Sequence, residues 1–280
     1  MNGRLRIFTV AQREIKLGFR NSWTYSFLVL LSIFTIGILL LHSGVATSSE
    51  YTDMTGTVIN MVLYLLPLVT LLLGGFSVAL EKEDGHWGLL ATYPLSTYQF
   101  LWGKWIGLAI ILLTMLFFSF GLAGIITVIF NQPLALPTLL FFWVFSTVLA
   151  LVYLSIAILI GSIAKNRWQA LFIGIGVWFI TVVAWSLIIV STLSHLPSYN
   201  MIQPTLQILT LLNPAEFVRV FSMMRLGAGS AFGADYDMWI TWATSNYGLF
   251  IFVAIFISWI VASICVGGFI WNRRDKYGGA

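Results

Sequence analysis

The side chains best suited to chemistry gather in one segment, Glu81 to Lys104, where Glu81, Glu83 and Asp84 stand ahead of Gly85 and His86. Asp84 is placed to cap a short helix over residues 83–93, with Leu89, Leu90 and Tyr93 forming its apolar side and Pro94 ending it. Ser96, with Gln99 three residues on, makes a capping box that starts a second helix running into the next apolar stretch. Reciprocal caps around a proline imply a defined shape, which an ordinary connector does not need. His86 reads as a polar surface residue of this segment rather than a catalyst.

Other chemistries fit less well. The pair Gly103-Lys104 follows Tyr98 rather than a first glycine and precedes Trp105 rather than a hydroxyl, so it is no phosphate loop. Any nucleotide energy must come from another chain. His42 and His195, with Met54, Met201, Met223, Met224 and Met238, would suit copper. They show no ligand spacing, and methionine as a filler of interfacial helices is the stronger reading. The single cysteine, Cys265, excludes a disulfide framework and a thiol cluster.

Six long stretches without charge must position these groups: 23–41, 57–80, 105–130, 138–164, 168–193 and 247–271. Each comes to about the 20 residues that carry a helix across a bilayer core, or more. With 59% hydrophobic and 9% charged residues in 280 and a mean hydropathy of +0.95, no soluble domain is hidden here. Residues 1–280 read as a single all-α transmembrane domain.

Charge sets the orientation. With six crossings that start inside, Arg4, Arg6, Arg13, Lys16, Arg20, Lys82, Lys104, Lys165, Arg167, Arg273, Arg274 and Lys276 fall on one side. Only Arg219 and Arg225 fall on the other, and the acids divide evenly. Lysine and arginine mark the cytoplasmic face, so both termini are expected inside, in a multi-pass protein of the inner membrane. These basic residues are orientation signals, and nucleic acid is not an expected partner. Arg13, Glu14, Lys16 and Arg20 precede the first stretch and no cleavage pattern follows it, so it is expected to stay in the membrane.

Residues 4–22 form an amphipathic segment with Ile7, Phe8, Ala11, Ile15 and Phe19 on one side and Arg6, Arg13, Lys16 and Arg20 on the other. It reads as an interfacial elbow helix, serving equally as lipid anchor and as contact for a cytoplasmic partner. In the outer loop 194–246, Asn213 caps, Pro214 takes the first helical position and Glu216 reaches back from the third. Phe217 and Phe221 make that helix apolar, so it dips into the outer leaflet or packs on span ends. Pro67 should kink the second span, and Gly103 with Gly107 gives the third a small-residue face.

No ionisable residue lies well inside any of the six stretches, whereas ion-coupled pumps and intramembrane hydrolases usually need one at depth. Backbone carbonyls with Ser77, Thr114, Ser119, Ser155, Thr181 and Ser186 would be left for an ATP-independent carrier.

The segment Glu81, Glu83, Asp84, Gly85, Leu89, Leu90, Tyr93, Pro94, Ser96, Gly103, Lys104 resembles the cytoplasmic signature of ABC-2-type permeases. The resemblance extends over the chain, through the basic start, the six stretches, Asn213-Pro214-Ala215 and the terminal Asn272-Arg273-Arg274-Asp275. Within the family it is most similar to the permeases of nitrous oxide reductase maturation, through Arg13-Glu14-Ile15, Phe19 to Trp23 and Tyr64 to Leu68. It departs from the family pattern at His86, Trp87, Gly88 and Thr97. The resemblance implies a six-helix ABC-2 fold of the type V exporter kind, in a homodimer. Each subunit would dock on a cytoplasmic ATPase, two copies in all, which holds the ATP and magnesium while this chain binds no cofactor. It further implies ATPase coupling through Glu81 to Ser96 and through Arg6, Arg13, Lys16 and Arg20. An extracytoplasmic partner would meet the helix of Asn213, Pro214, Glu216, Phe217 and Phe221, and the system would serve assembly of a copper-sulfide centre. The chain itself would catalyse nothing. A generic exporter, or a membrane scaffold without transport, are the alternatives.

Overall fold

The computed structural model describes residues 3–42, 53–85, 96–129, 136–227 and 236–276, and among them every regular element is helical. In chain order these are α1 (Gly3–Gly18), α2 (Ser22–His42), α3 (Asp53–Glu83), α4 (Thr97–Ile129), α5 (Leu136–Ile163) and α6 (Arg167–Trp178). A π-helical segment, Phe179–Ala184, joins α6 to α7 (Trp185–Ser194), and then come α8 (Ile202–Leu212), α9 (Pro214–Arg225), α10 (Asp237–Thr244) and α11 (Gly248–Lys276).

Among the described residues, five helical segments are long and apolar enough to cross a membrane: Val58–Glu83, Thr97–Ile126, Leu139–Ile163, Arg167–Ser194 and Gly248–Arg273. The first uncharged stretch forms α2, whose described apolar part runs Thr24–Gly37. Several helices reach beyond their uncharged stretches, α11 among them, which continues through Arg273 and Arg274 to Lys276. α3 continues through Glu81 and Lys82 to Glu83, and α4 begins at Thr97, so Lys104 lies within it. Of the expected helix over 83–93, Glu83 instead ends α3 and Asp84 and Gly85 form the turn after it, while residues 86–93, with Leu89, Leu90 and Tyr93, and Pro94 lie outside the described residues.

α5 is the centre of the bundle, packed by α3, α4 and α11. The most apolar part of its span is 72% buried, against 17% for that of Arg167–Ser194. In lipid, apolar surface alone does not draw helices together, so close backbone approach must do so. Glycines supply it between α3 and α5: a Cβ on Gly74 would stand 2.6 Å from that of Ala157, and one on Gly161 would stand 2.6 Å from that of Val78. Pro67 sits inside α3, where its missing N–H breaks the ladder. The indole N–H of Trp178 donates to the Tyr64 carbonyl just ahead of it at 2.8 Å. Gly85 ends α3 at φ 68°, the left-handed stop that lacks a Cβ penalty only for glycine.

Gly161→Ala is expected to destabilise the bundle by about 1–3 kcal/mol through overpacking. Gly121→Ala, where nothing lies within 4 Å, should be neutral or stabilising. Thermal unfolding in detergent distinguishes the two.

Candidate functional site

The chemistry-bearing residues converge where α1, the end of α3 and the start of α4 meet. α1 lies along α4 with Val10, Ala11 and Glu14 buried. Its close seats are the two glycines of α4: a Cβ at Gly103 would stand 2.6 Å from that of Val10, and one at Gly107 would stand 2.7 Å from that of Glu14. The small-residue face expected on the third span is therefore covered by α1. The buried face of α1 is rotated from the apolar side read from the sequence, because Phe8 and Phe19 are exposed while Glu14 points inward.

Glu14 points at Lys104, which is only 1% exposed. The Lys104 ammonium donates to Glu14 Oε2 at 3.0 Å, to the Ser77 carbonyl at 2.9 Å and to Ser77 Oγ at 2.7 Å. It also pairs with Glu81 Oε1 at 3.0 Å. The Ser77 hydroxyl donates in turn to Glu14 Oε1. Arg13 reaches Glu81 Oε1 at 3.2 Å from the half-exposed edge. Two carboxylates and two cations thus offset one another, with Glu81 Oε2 left buried without a hydrogen-bond partner. Counting uncharged runs placed these charges at span ends. In the fold they lie within the helices, and mutual pairing is what makes their burial tolerable.

The same end of the bundle is tied together by further polar contacts. Lys82 Nζ donates to the carbonyls of Gly161, Ser162 and Ala164 at 3.1, 2.6 and 3.2 Å, and stands 4.1 Å from the ring centre of Trp271. It thereby satisfies carbonyls that the end of α5 leaves unpaired, at the negative end of the helix dipole. Asn166 caps α6 by accepting from Gln169 N at 2.8 Å, and Gln169 Oε1 accepts back from Lys165 N at 2.8 Å. Glu83 joins this helix start, accepting from the Arg167 backbone N–H at 3.1 Å and pairing with its guanidinium at 3.4 Å. Ser96 and Gln99 form the expected reciprocal cap, both bonds at 3.3 Å. Thr97 Oγ1 donates to Asn272 Oδ1 at 2.5 Å, linking α4 to α11.

Of the residues expected to meet a cytoplasmic partner, Asp84, Gly85, Ser96, Lys16 and Arg20 are exposed. Arg6 has a partner within the chain, Arg13 and Glu83 are engaged in the pairs above, and Glu81 is turned inward. Leu89, Leu90, Tyr93 and Pro94 lie outside the described residues. Glu14, Ser77 and Lys104 were not singled out as partners, although Glu14 shares the helical face of Ile7, Val10, Ala11 and Gly18.

At the opposite end Asn213 caps α9 by accepting from Ala215 N at 3.0 Å, with Pro214 in the first turn. Glu216 does not reach back to the cap. It binds Arg219 through both oxygens, at 2.6 and 3.0 Å. Burial opposes the charge on Arg219, but Glu216, with smaller contributions from Tyr236 and Tyr64, outweighs it and holds the guanidinium above its ordinary value. The five residues expected to meet an outer partner, Asn213, Pro214, Glu216, Phe217 and Phe221, are all buried in the chain. α9 is a core helix on the span ends because Phe217 and Phe221 stack on Phe252 of α11, at 5.2 and 4.0 Å between ring centres. Asn213 Nδ2 also donates to the Thr181 carbonyl of the π segment at 2.6 Å, and Thr181 Oγ1 accepts from Tyr153 OH at 2.8 Å. Met223 and Met224 belong to the same core, and His195 is exposed, its Nδ1 at 2.7 Å from the Ser191 carbonyl.

A family profile described as ABC-2 family transporter protein matches residues 8–276. Two relatives carry the name probable ABC transporter permease protein NosY. The one from Stutzerimonas stutzeri is 29% identical over 239 residues, covering 81% of this chain and 85% of its own. The one from Pseudomonas aeruginosa is 29% identical over 234 residues, with the same coverage.

Lys104→Ala leaves two buried carboxylates facing each other and should cost about 3–5 kcal/mol. Arg13→Ala, at the exposed edge, should cost no more than about 1 kcal/mol. Denaturation of the purified chain in detergent measures both. Asn213→Ala removes a cap worth about 0.5–2 kcal/mol together with the bond to Thr181, and hydrogen exchange should rise over 179–184 and 214–218 together.

Proposed function

We propose that this chain, which belongs to the ABC-2 family of transporter proteins, is the membrane permease of an ATP-driven system whose nucleotide and magnesium are held by a separate cytoplasmic ATPase. The observation that carries this reading is the end of the bundle built around Lys104. There the ends of α1, α3, α4, α5, α6 and α11 are fastened to one another by ion pairs and caps, while Asp84, Lys16 and Arg20 face outward. A face braced in this way suits reception of a push from a docked motor, and the sequence offers no phosphate loop of its own.

In this reading α2 completes six spans, α1 is the interfacial elbow, and both termini lie in the cytoplasm beneath the inner membrane. The segment from Asp84 to Ser96, with Leu89, Leu90, Tyr93 and Pro94, is in this reading the part that enters the ATPase. Two such chains and two ATPase subunits make the working assembly. The relatives named NosY support the narrower role, maturation of the copper-sulfide site of nitrous oxide reductase. An extracytoplasmic partner would meet α8, whose Ile208, Leu211 and Leu212 are exposed, rather than the enclosed α9.

Asp84 is the cleanest probe, because it is exposed while Glu83 is held by Arg167. In the complex reconstituted in lipid, Asp84→Lys is expected to abolish the ATP turnover stimulated by the permease without loss of the folded chain. Wild-type turnover by a normally assembled variant rejects the coupling role.

A further inference from the structure

α1 is held more firmly than a surface anchor requires. A helix lying among headgroups for anchorage alone would turn Glu14 to water, where a carboxylate suffers no desolvation. Here Glu14 is 6% exposed, and its two oxygens bond to Lys104 of α4 and Ser77 of α3. The apolar residues that would best serve an anchor, Phe8 at 67% and Leu17 at 47% exposure, point away from this junction.

We propose that Glu14 and Lys104 are positioning residues that make α1, α3 and α4 a single lever, so that a displacement delivered to α1 reaches both spans without slip between them. Lys104 bonds in two directions at once, to α1 through Glu14 and to α3 through Ser77 and Glu81. Those bonds fix the rotation of α1 about its axis. The seats at Gly103 and Gly107 fix its position along α4, since sliding would bring other α1 side chains against a surface that fits Val10 and Glu14. Arg13 adds the half-exposed arm of the same network, bonded to Glu81. Chain segments locked by directional bonds and close backbone contact have discrete arrangements rather than a continuum, which is what lossless transmission demands.

This inference rests on the permease reading, and its test separates the two. Cys265, which is free, is replaced by serine, and spin labels are placed at Gln12 on α1 and Ile110 on α4, both exposed. Distances are measured in the complex with the ATPase in lipid nanodiscs, with and without a non-hydrolysable ATP analogue. In the otherwise wild-type chain the Gln12–Ile110 distribution is expected to be the same in both states. In the double variant E14Q/K104M the distribution is expected to become nucleotide-dependent, with stimulated turnover lost although the complex assembles and melts at its usual temperature. That variant leaves no orphan charge at the junction, because Glu81 keeps Arg13. A nucleotide-dependent distance in the wild-type chain overturns the lever, whether or not the double variant assembles. So does a double variant with an invariant distance and full stimulation. If no ATPase assembles with the wild-type chain, the permease reading falls and the lever with it.

Discussion

One ammonium group organises the basic end of this protein. An amine taken out of water is tolerated only where oxygens replace its hydration shell, and Lys104 finds them on two other helices: the Glu14 carboxylate of α1, and the Glu81 carboxylate, a carbonyl and a hydroxyl of α3. Burying such a network adds little to stability compared with an apolar core of equal volume, so its worth lies in specificity. α1 has exposed apolar residues on more than one side, including Phe8 and Leu17, and hydrophobicity alone would let it settle in several rotations. Only one rotation brings Glu14 to Lys104.

Close packing carries the rest. Between α1 and α4, and between α3 and α5, the helices approach at glycine positions where a single added carbon would collide with a neighbour. A bilayer supplies no hydrophobic drive for helices to associate, so van der Waals contact at such seats, together with polar bonds, must supply it. The two devices are complementary in this chain. Gly103 and Gly107 sit beside Lys104, and Gly161 gives its carbonyl to Lys82, so among the described residues these close contacts and the ion pairs between helices meet at the same end.

The sequence made the bundle legible because charge and its absence alternate so regularly. The capping residues Ser96 and Asn213 were equally plain, since their side chains act on backbone groups two or three residues away. What escaped was anything decided between helices. Lys104 looked like a span-end cation because an uncharged run begins at Trp105, yet α4 starts at Thr97 and carries it inward. Glu216 looked like the second half of a capping box, but Arg219 lies one turn on and binds both its oxygens. The apolar helix from Pro214 carries the same residues whether it meets a partner, a lipid leaflet or its own chain, and the aromatic stack on Phe252 decides for the last. The π segment at Phe179–Ala184 has no sequence signal beyond β-branched Ile180, Thr181, Val182 and Val183, which are only mildly unfavourable in an α-helix.

Between its two ends the bundle contains polar contacts of another kind. Ser32 and Ser119 meet at 3.1 Å, and Tyr153 donates to Thr181; both are hydroxyl pairs without charge. Thr181 lies in the π segment, a rare helix form that is frequent at functional sites, and its carbonyl is taken by the amide that caps α9. α9 is thus bonded directly to the π segment between α6 and α7, as α1 is bonded to α3 and α4 at the other end. Directional bonds secure both ends of the bundle, ionic around Lys104 and amide to carbonyl at Asn213, with uncharged hydroxyl pairs between them.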